Sequence, residues 1–173
     1  MMTIEELLKD KTKKVKVKTE IISNWLLDGS MTTDELIVFA ERSKDSEKAT
    51  SIEAIEYATK QNPHIADENV FLFVTKMLTE KPPRVKWESA RVIGNIAHLF
   101  KSDLEIAIKN LLVNSEYNGT VVRWASAYAL GEILKLKTDH NNYLLTAIEK
   151  NYKSEEDNGI KKKYLEAIKK MNG

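Results

Sequence analysis

Apolar residues recur at helical spacing along the whole chain, in short segments separated by polar breaks. Thr3-Ile4-Glu5-Glu6 is a capping-box pattern that opens a short helix with Leu7 and Leu8. From Val15 the apolar positions Val17, Ile21, Ile22, Trp25 and Leu26 fall on one helix face, and Gly29 ends the segment. Thr32-Thr33-Asp34-Glu35 is a second capping box, opening a helix over 31–43 with Leu36, Ile37, Phe39 and Ala40 on its apolar face. A helix over 46–61 turns Ala49, Ile52, Ala54, Ile55 and Ala58 inward. Asn62-Pro63 closes it, because the residue before proline is pushed out of the helical region.

The alternation then repeats. Helices are predicted over 67–79, 84–100, 102–114, 121–137, 141–153 and 159–171. Pro82-Pro83 starts the second of these, Ser102-Asp103-Leu104-Glu105 is expected to cap the third, and Asn118-Gly119-Thr120 forms the turn before the fourth. The loops of a few residues suit antiparallel neighbours. The only clean strand-like alternation, Val15-Lys16-Val17-Lys18, is too short and too charged to compete.

Two of these helices are copies of one another. The stretch VKWESARVIGNIAHLF at 85–100 aligns without a gap on VRWASAYALGEILKLK at 122–137, an offset of 37. Seven of the sixteen positions are identical: Val85/Val122, Trp87/Trp124, Ser89/Ser126, Ala90/Ala127, Gly94/Gly131, Ile96/Ile133 and Leu99/Leu136. Ile160, Ala167, Ile168 and Met171 continue the register of Val122, Ala129, Leu130 and Ile133 at an offset of 38, and Ile55 precedes Ile93 by the same 38. Self-similarity at this period is the mark of a solenoid of helical hairpins.

The pattern V-[KR]-W-x-S-A-x-x-[IL]-G-x-I resembles HEAT repeats, and most closely the short HEAT-like subclass with a V-R-x-x-A-x-x-A-L-G core. The resemblance spans residues 32–172 as four repeats, with 1–30 as a divergent N-terminal cap and 1–173 as one domain. Glu56 and Lys169 replace the glycine in the first and last repeats, as expected of repeats that end a stack. The resemblance implies an all-α fold, a right-handed α–α superhelix of about four hairpins plus an N-terminal pair. It also implies an interaction surface on the concave side, lined by the second helix of each hairpin, and no particular activity.

A helical wheel at about 100° per residue gathers Ser89, Ile93, Ile96 and Phe100 near Val85 as the core face. The opposite sector holds Trp87, Arg91, Gly94, Asn95 and His98, and in the next repeat Trp124, Tyr128, Gly131, Glu132 and Lys135. The preceding repeat adds Glu53, Glu56, Tyr57 and Lys60, and the following one Lys162, Glu166 and Lys169. Trp87, Arg91, His98, Trp124, Tyr128 and Lys135 are therefore the candidate concave patch. As a platform they would suit a peptide or nucleotide bases. The bland reading is that each tryptophan fills the junction with a neighbouring repeat. Gly94 and Gly131 cost about 1 kcal/mol each in a helix interior, which close helix approach would explain.

Composition removes most chemistry. The net charge is +1 and there is no cysteine, so neither a strong field for nucleic acid nor a disulfide or thiolate site is present. His64, His98 and His140 have no ligand companion at helical spacing, and no metal site is expected. No phosphate-binding glycine loop, G-x-S-x-G or H-E-x-x-H occurs, and no cofactor is expected. No apolar run would span a membrane, and the acidic 1–11 segment is unlike a secretory leader, so the expected location is cytoplasmic.

Two functions follow. The first is a non-catalytic, monomeric scaffold that binds a protein or peptide along its concave face. The second is a nucleic-acid-binding protein akin to the HEAT-like alkylpurine DNA glycosylases, whose concave face carries Trp and an acidic residue. For it, Lys11, Lys13, Lys14, Lys16, Lys18 and Arg123 are the candidates for phosphate contacts, although a solvated linker is the favoured reading of the lysine run. The near-zero charge and the lack of an Asp on the concave sector of either central second helix favour the scaffold.

Overall fold

The computed structural model describes residues 1–173. All regular structure is helical. Ten α-helices follow in order: α1 (Ile4–Lys9), α2 (Val15–Asp28), α3 (Thr33–Glu41), α4 (Asp45–Gln61), α5 (Glu68–Met77), α6 (Pro83–Ile96), α7 (Glu105–Asn114), α8 (Thr120–Lys135), α9 (Asn141–Ser154) and α10 (Asn158–Asn172).

Local chemistry sets most of the boundaries. Thr3 and Thr32 each accept the amide three residues on, from Glu6 and Glu35, and both glutamates bond back to the threonine amide. Asp67 and Asp157 cap α5 and α10 by accepting from Val70 N and Ile160 N. Gly29 ends α2 at φ 82, a left-handed conformation in which a side chain would be strained. Asn62 is extended before Pro63 and closes α4. Pro83 occupies the first turn of α6, where its missing amide costs nothing.

Two boundaries differ from expectation by more than two residues. The helix predicted to run to Phe100 ends at Ile96 and tightens into a 3-10 turn over Ala97–Leu99, after which Phe100 stacks on Phe71 at 4.9 Å. Ser102 and Asp103 do not cap α7. They lie in a separate 3-10 turn, and Leu104 is the cap residue without a side-chain bond.

The helices form five antiparallel pairs in two layers. The second helices α2, α4, α6, α8 and α10 make one continuous row, each packed mainly on its neighbours in that row. The first helices lie behind it and touch one another more loosely. The packing is therefore tighter along the second-helix row than along the first. One hydrophobic cluster runs through all five pairs, from Ile4 and Leu7 to Ile160 and Ala167. Ile93 and Leu130, aligned residues of successive repeats, are both fully buried in it.

A candidate binding face on the second-helix row

The predicted concave patch does not form a single exposed platform. Trp87 in α6 and Trp124 in α8 are both half-buried at equivalent places, but their surroundings differ. Tyr128, one turn after Trp124, stacks against it at 6.0 Å, and Lys163 Nζ from α10 sits 5.3 Å over the Trp124 ring. Lys163 is also 3.7 Å from Glu166 Oε2. No aromatic ring or cation is stacked on Trp87.

Tyr128 is drawn inward from the sector where the wheel places it. Its ring lies against Gly94 of α6 in the space a β-carbon would fill, and its hydroxyl donates to Asn95 Oδ1 at 2.7 Å. Burial pushes its phenol up to about 12. Gly131 has the corresponding role one junction on, where a β-carbon would meet Ala167 Cβ at 3.1 Å. Both glycines therefore serve close helix approach.

In the α4–α6 junction the same contact is ionic. Glu56 stands in the glycine position and Arg91 in the Tyr128 position, with Arg91 Nη2 3.2 Å from Glu56 Oε1. Arg91 Nη1 is also 3.5 Å from Glu88 Oε1. Arg84 Nη2 bonds Glu53 Oε2 at 3.1 Å and Arg84 Nη1 bonds Thr50 Oγ1 at 3.2 Å. Glu56 and Glu88 are buried, at 2% and 1% exposure. Glu88 Oε2 receives no hydrogen bond from an N–H or hydroxyl donor, and the Glu88 carboxyl faces that of Glu53, with which it shares a hydrogen bond when protonated. Burial pushes the Glu88 carboxyl up to about 8, helped by the neighbouring Glu53 and opposed by Arg91. Burial likewise raises Glu56 above the usual carboxylate range, against the pull of Arg91 and Lys60. The nearby Tyr57 phenol is raised by burial and by Glu53, Glu56, Glu88 and Glu20. These carboxyls do not converge as a metal-holding group.

His98 and Lys135 do not join the patch closely. His98 is exposed in the 3-10 turn after α6, and Lys135 pairs with Glu132 of its own helix at 2.7 Å. Arg123 is engaged elsewhere: it makes a two-pronged pair with Glu155, at 3.0 and 3.1 Å, and donates to the carbonyls of Tyr117 and Asn118. The lysine run is partly structured. Lys13 pairs with Asp10 at 2.7 Å and Lys18 donates to Leu8 O at 2.8 Å, while Lys11, Lys14 and Lys16 are exposed.

Sequence reasoning missed Glu88 and Lys163. Glu88 carried a signal: it aligns with Ala125, so an acid replaces a small residue in an otherwise matched helix.

Fold and site together define a helical-repeat solenoid with aromatic and charged residues along its second-helix row. No known protein family and no curated protein matches the chain. Among solved structures it is similar to a designed armadillo repeat protein in complex with the peptide (KR)4, with a TM-score of 0.67 over 98% of this chain and 80% of that one, at 16% identity. It is also similar to an engineered protein from a structural genomics consortium, with a TM-score of 0.52 over 99% of this chain and 97% of that one, again at 16% identity. At these identities the likeness establishes the architecture. No helix is long and apolar enough to cross a membrane.

Proposed function

We propose that this chain is a non-catalytic repeat scaffold, of the short HEAT-like type, that binds an extended protein segment along its second-helix row. The observation that carries the reading is the pair Trp87 and Trp124, half-buried at equivalent places on adjacent helices of that row. Trp, Tyr and Arg dominate interface hot spots because they bury much area at modest entropic cost. The peptide bound to the designed armadillo neighbour supports the same use of this architecture.

The nucleic-acid reading has less behind it. Glu53, Glu56 and Glu88 stand in the α4–α6 junction of the row, and Arg123 is already bonded to Glu155. Phosphates would be repelled by the first and not met by the second.

The test is selection of binding peptides from a random library, followed by titration of the best by fluorescence anisotropy. Trp87→Ala is the cleaner variant, because Trp124→Ala also strips the contacts of Tyr128 and Lys163. Loss of a hot spot costs about 2 kcal/mol or more, roughly thirtyfold in affinity. Wild-type affinity in a folded Trp87→Ala, Trp124→Ala double variant rejects the second-helix row. A duplex-DNA titration at two salt concentrations addresses the other reading, since phosphate-driven binding must weaken steeply with salt.

A further inference from the structure

We infer that an open groove across α1, α3 and α5 docks an amphipathic helix of a partner protein, apolar along one side and flanked there by Lys or Arg. The groove contains neither Trp87 nor Trp124, so the inference does not depend on binding along the second-helix row.

The first observation is an opening in the first-helix layer. Helix α3 packs on α5 but scarcely on α1, and a cavity of about 610 Å³ lies between α1, the end of α2 and α3. Trp25, Met31 and Phe39 line it, half-buried or buried, while Met2 and Val38 on the same cavity are 42% and 59% exposed. Val38 and Asp34 also line a second cavity of about 380 Å³ between α3 and α5. There Leu72 is 55% exposed beside Ile37 and Phe73. Through the shared residues the two cavities form one groove. A contiguous exposed apolar surface rimmed by polar residues marks an interaction site.

The second observation is charge, and it selects the partner. The first cavity carries Glu5, Asp34 and Glu35 against the single guanidinium of Arg42. Arg42 pairs with Glu5 at 3.1 Å. Asp34 accepts from the Asn69 amide at 3.2 Å, and Glu35 accepts from the backbone amide and hydroxyl of Thr32 at 2.7 and 3.0 Å. Those donors are neutral, so both carboxylates keep an uncompensated charge. The second cavity adds Glu41 and Lys76, one of each sign. The groove is therefore acidic in a chain whose net charge is +1, and a basic partner is recognised by local charge rather than by the field of the whole molecule.

The third observation concerns the occupant's conformation. Between its acidic residues the groove is chiefly apolar. An extended segment laid over those side chains would leave its own amides and carbonyls unpaired. A helix brings a bonded backbone and an apolar stripe at i, i+3, i+4 and i+7. Met2 and Met31 suit such a stripe, because the flexible thioether chain fits irregular partner surfaces. Packed helices stand about 10 Å apart, so crossing α1, α3 and α5 takes about 20 Å, the length of a helix of about thirteen residues. Lys or Arg beside the stripe meets Asp34 and Glu35.

The experiment measures fluorescence anisotropy of a labelled helical Leu/Lys peptide with Leu at those stripe positions. Three companion peptides carry Glu in place of Lys, the same residues in scrambled order, or a central Pro. The Leu/Lys peptide is expected to bind, and the other three to bind at least about tenfold more weakly. Val38→Lys and Leu72→Lys each put a repelling charge into the apolar groove and should weaken binding at least about tenfold. Ile106→Lys, on α7 at 64% exposure and outside the groove, should leave it unchanged. Circular dichroism verifies that each variant is folded. No binding of the Leu/Lys peptide, equal binding of any companion, or an equal loss in Ile106→Lys overturns the groove. Loss in Trp87→Ala with none in Val38→Lys assigns the peptide to the second-helix row and also overturns it. Sedimentation velocity of the protein alone covers a second copy, whose exposed Val15 and Val17 stand among lysines. A dimer that Val38→Lys dissolves gives the groove to that copy and overturns the separate partner.

Discussion

The ring of Tyr128 rests on the backbone of Gly94, where a β-carbon would overlap Cε2, Cδ2 and Cζ, and its hydroxyl is tied to the adjacent Asn95. The ring cannot swing clear cheaply, since Trp124 stacks on it as well. Replacing a mid-helix glycine by alanine usually stabilises by about 1 kcal/mol. Here overpacking reverses the sign, and Gly94→Ala is expected to cost about 1–3 kcal/mol. The cost should vanish in a Tyr128→Ala background, a coupling that a double-mutant cycle in urea measures directly. Gly131→Ala should cost less, because its β-carbon meets Ala167 Cβ at 3.1 Å and Lys163 O at an ordinary 3.8 Å. Equal effects at the two glycines would contradict this account.

The same junction marks how far the sequence could be read. Periodicity, two capping boxes and an offset of 37 to 38 placed the helices, their pairing and the core residues Ile93 and Leu130, because those depend on local propensity and on a pattern that repeats. A helical wheel treats every helix as isolated. It therefore put Tyr128 and Arg91 on an open sector, when each reaches back to the preceding second helix. It also had no means of showing that Glu88 would be sealed between α4 and α6, since that burial comes from the neighbour and not from its own helix. Lys163 was missed for the same reason: its position over Trp124 is a contact between repeats.

Core and platform should separate in stability measurements. Ile93 and Leu130 are fully buried, so truncating either to Ala removes packing that cannot be recovered and costs about 2–5 kcal/mol. Trp87 is half-buried and should cost clearly less than Ile93. Guanidinium unfolding of the three variants checks the order, and a larger loss for Trp87→Ala would make that residue part of the core.

Arg123 is expected to act as a structural clamp. Its guanidinium meets both oxygens of Glu155 and two carbonyls of the turn that opens α8. Burial works to raise Glu155, yet the bonds from Arg123 outweigh it and hold the carboxyl below its ordinary value. Lysine cannot reproduce the forked geometry. Arg123→Lys should therefore lower stability by about 1–2 kcal/mol, as loss of a charged hydrogen bond does. If unfolding midpoints of variant and wild type coincide, the clamp carries no weight.

Glu88 makes the pH dependence of stability unusual for a carboxyl group. Its pKa is raised from 4.5 to about 8 in the folded chain, chiefly by burial. Between those values the folded state holds a proton that the unfolded state has released. The sign follows from proton linkage: raising pH across this window favours the state with fewer bound protons, which is the unfolded one. Glu88 thus contributes nothing adverse below about pH 4.5, and its penalty grows until about pH 8 and is constant above. Glu88→Gln cannot ionise and escapes it. The variant should nearly match wild type near pH 5 and exceed it near pH 9 by several kcal/mol, about 5 at most given about 1.4 kcal/mol for each unit of displacement. Urea titrations at the two pH values provide the test. Parallel behaviour of the two proteins would mean that Glu88 ionises normally and that Arg91 alone neutralises it.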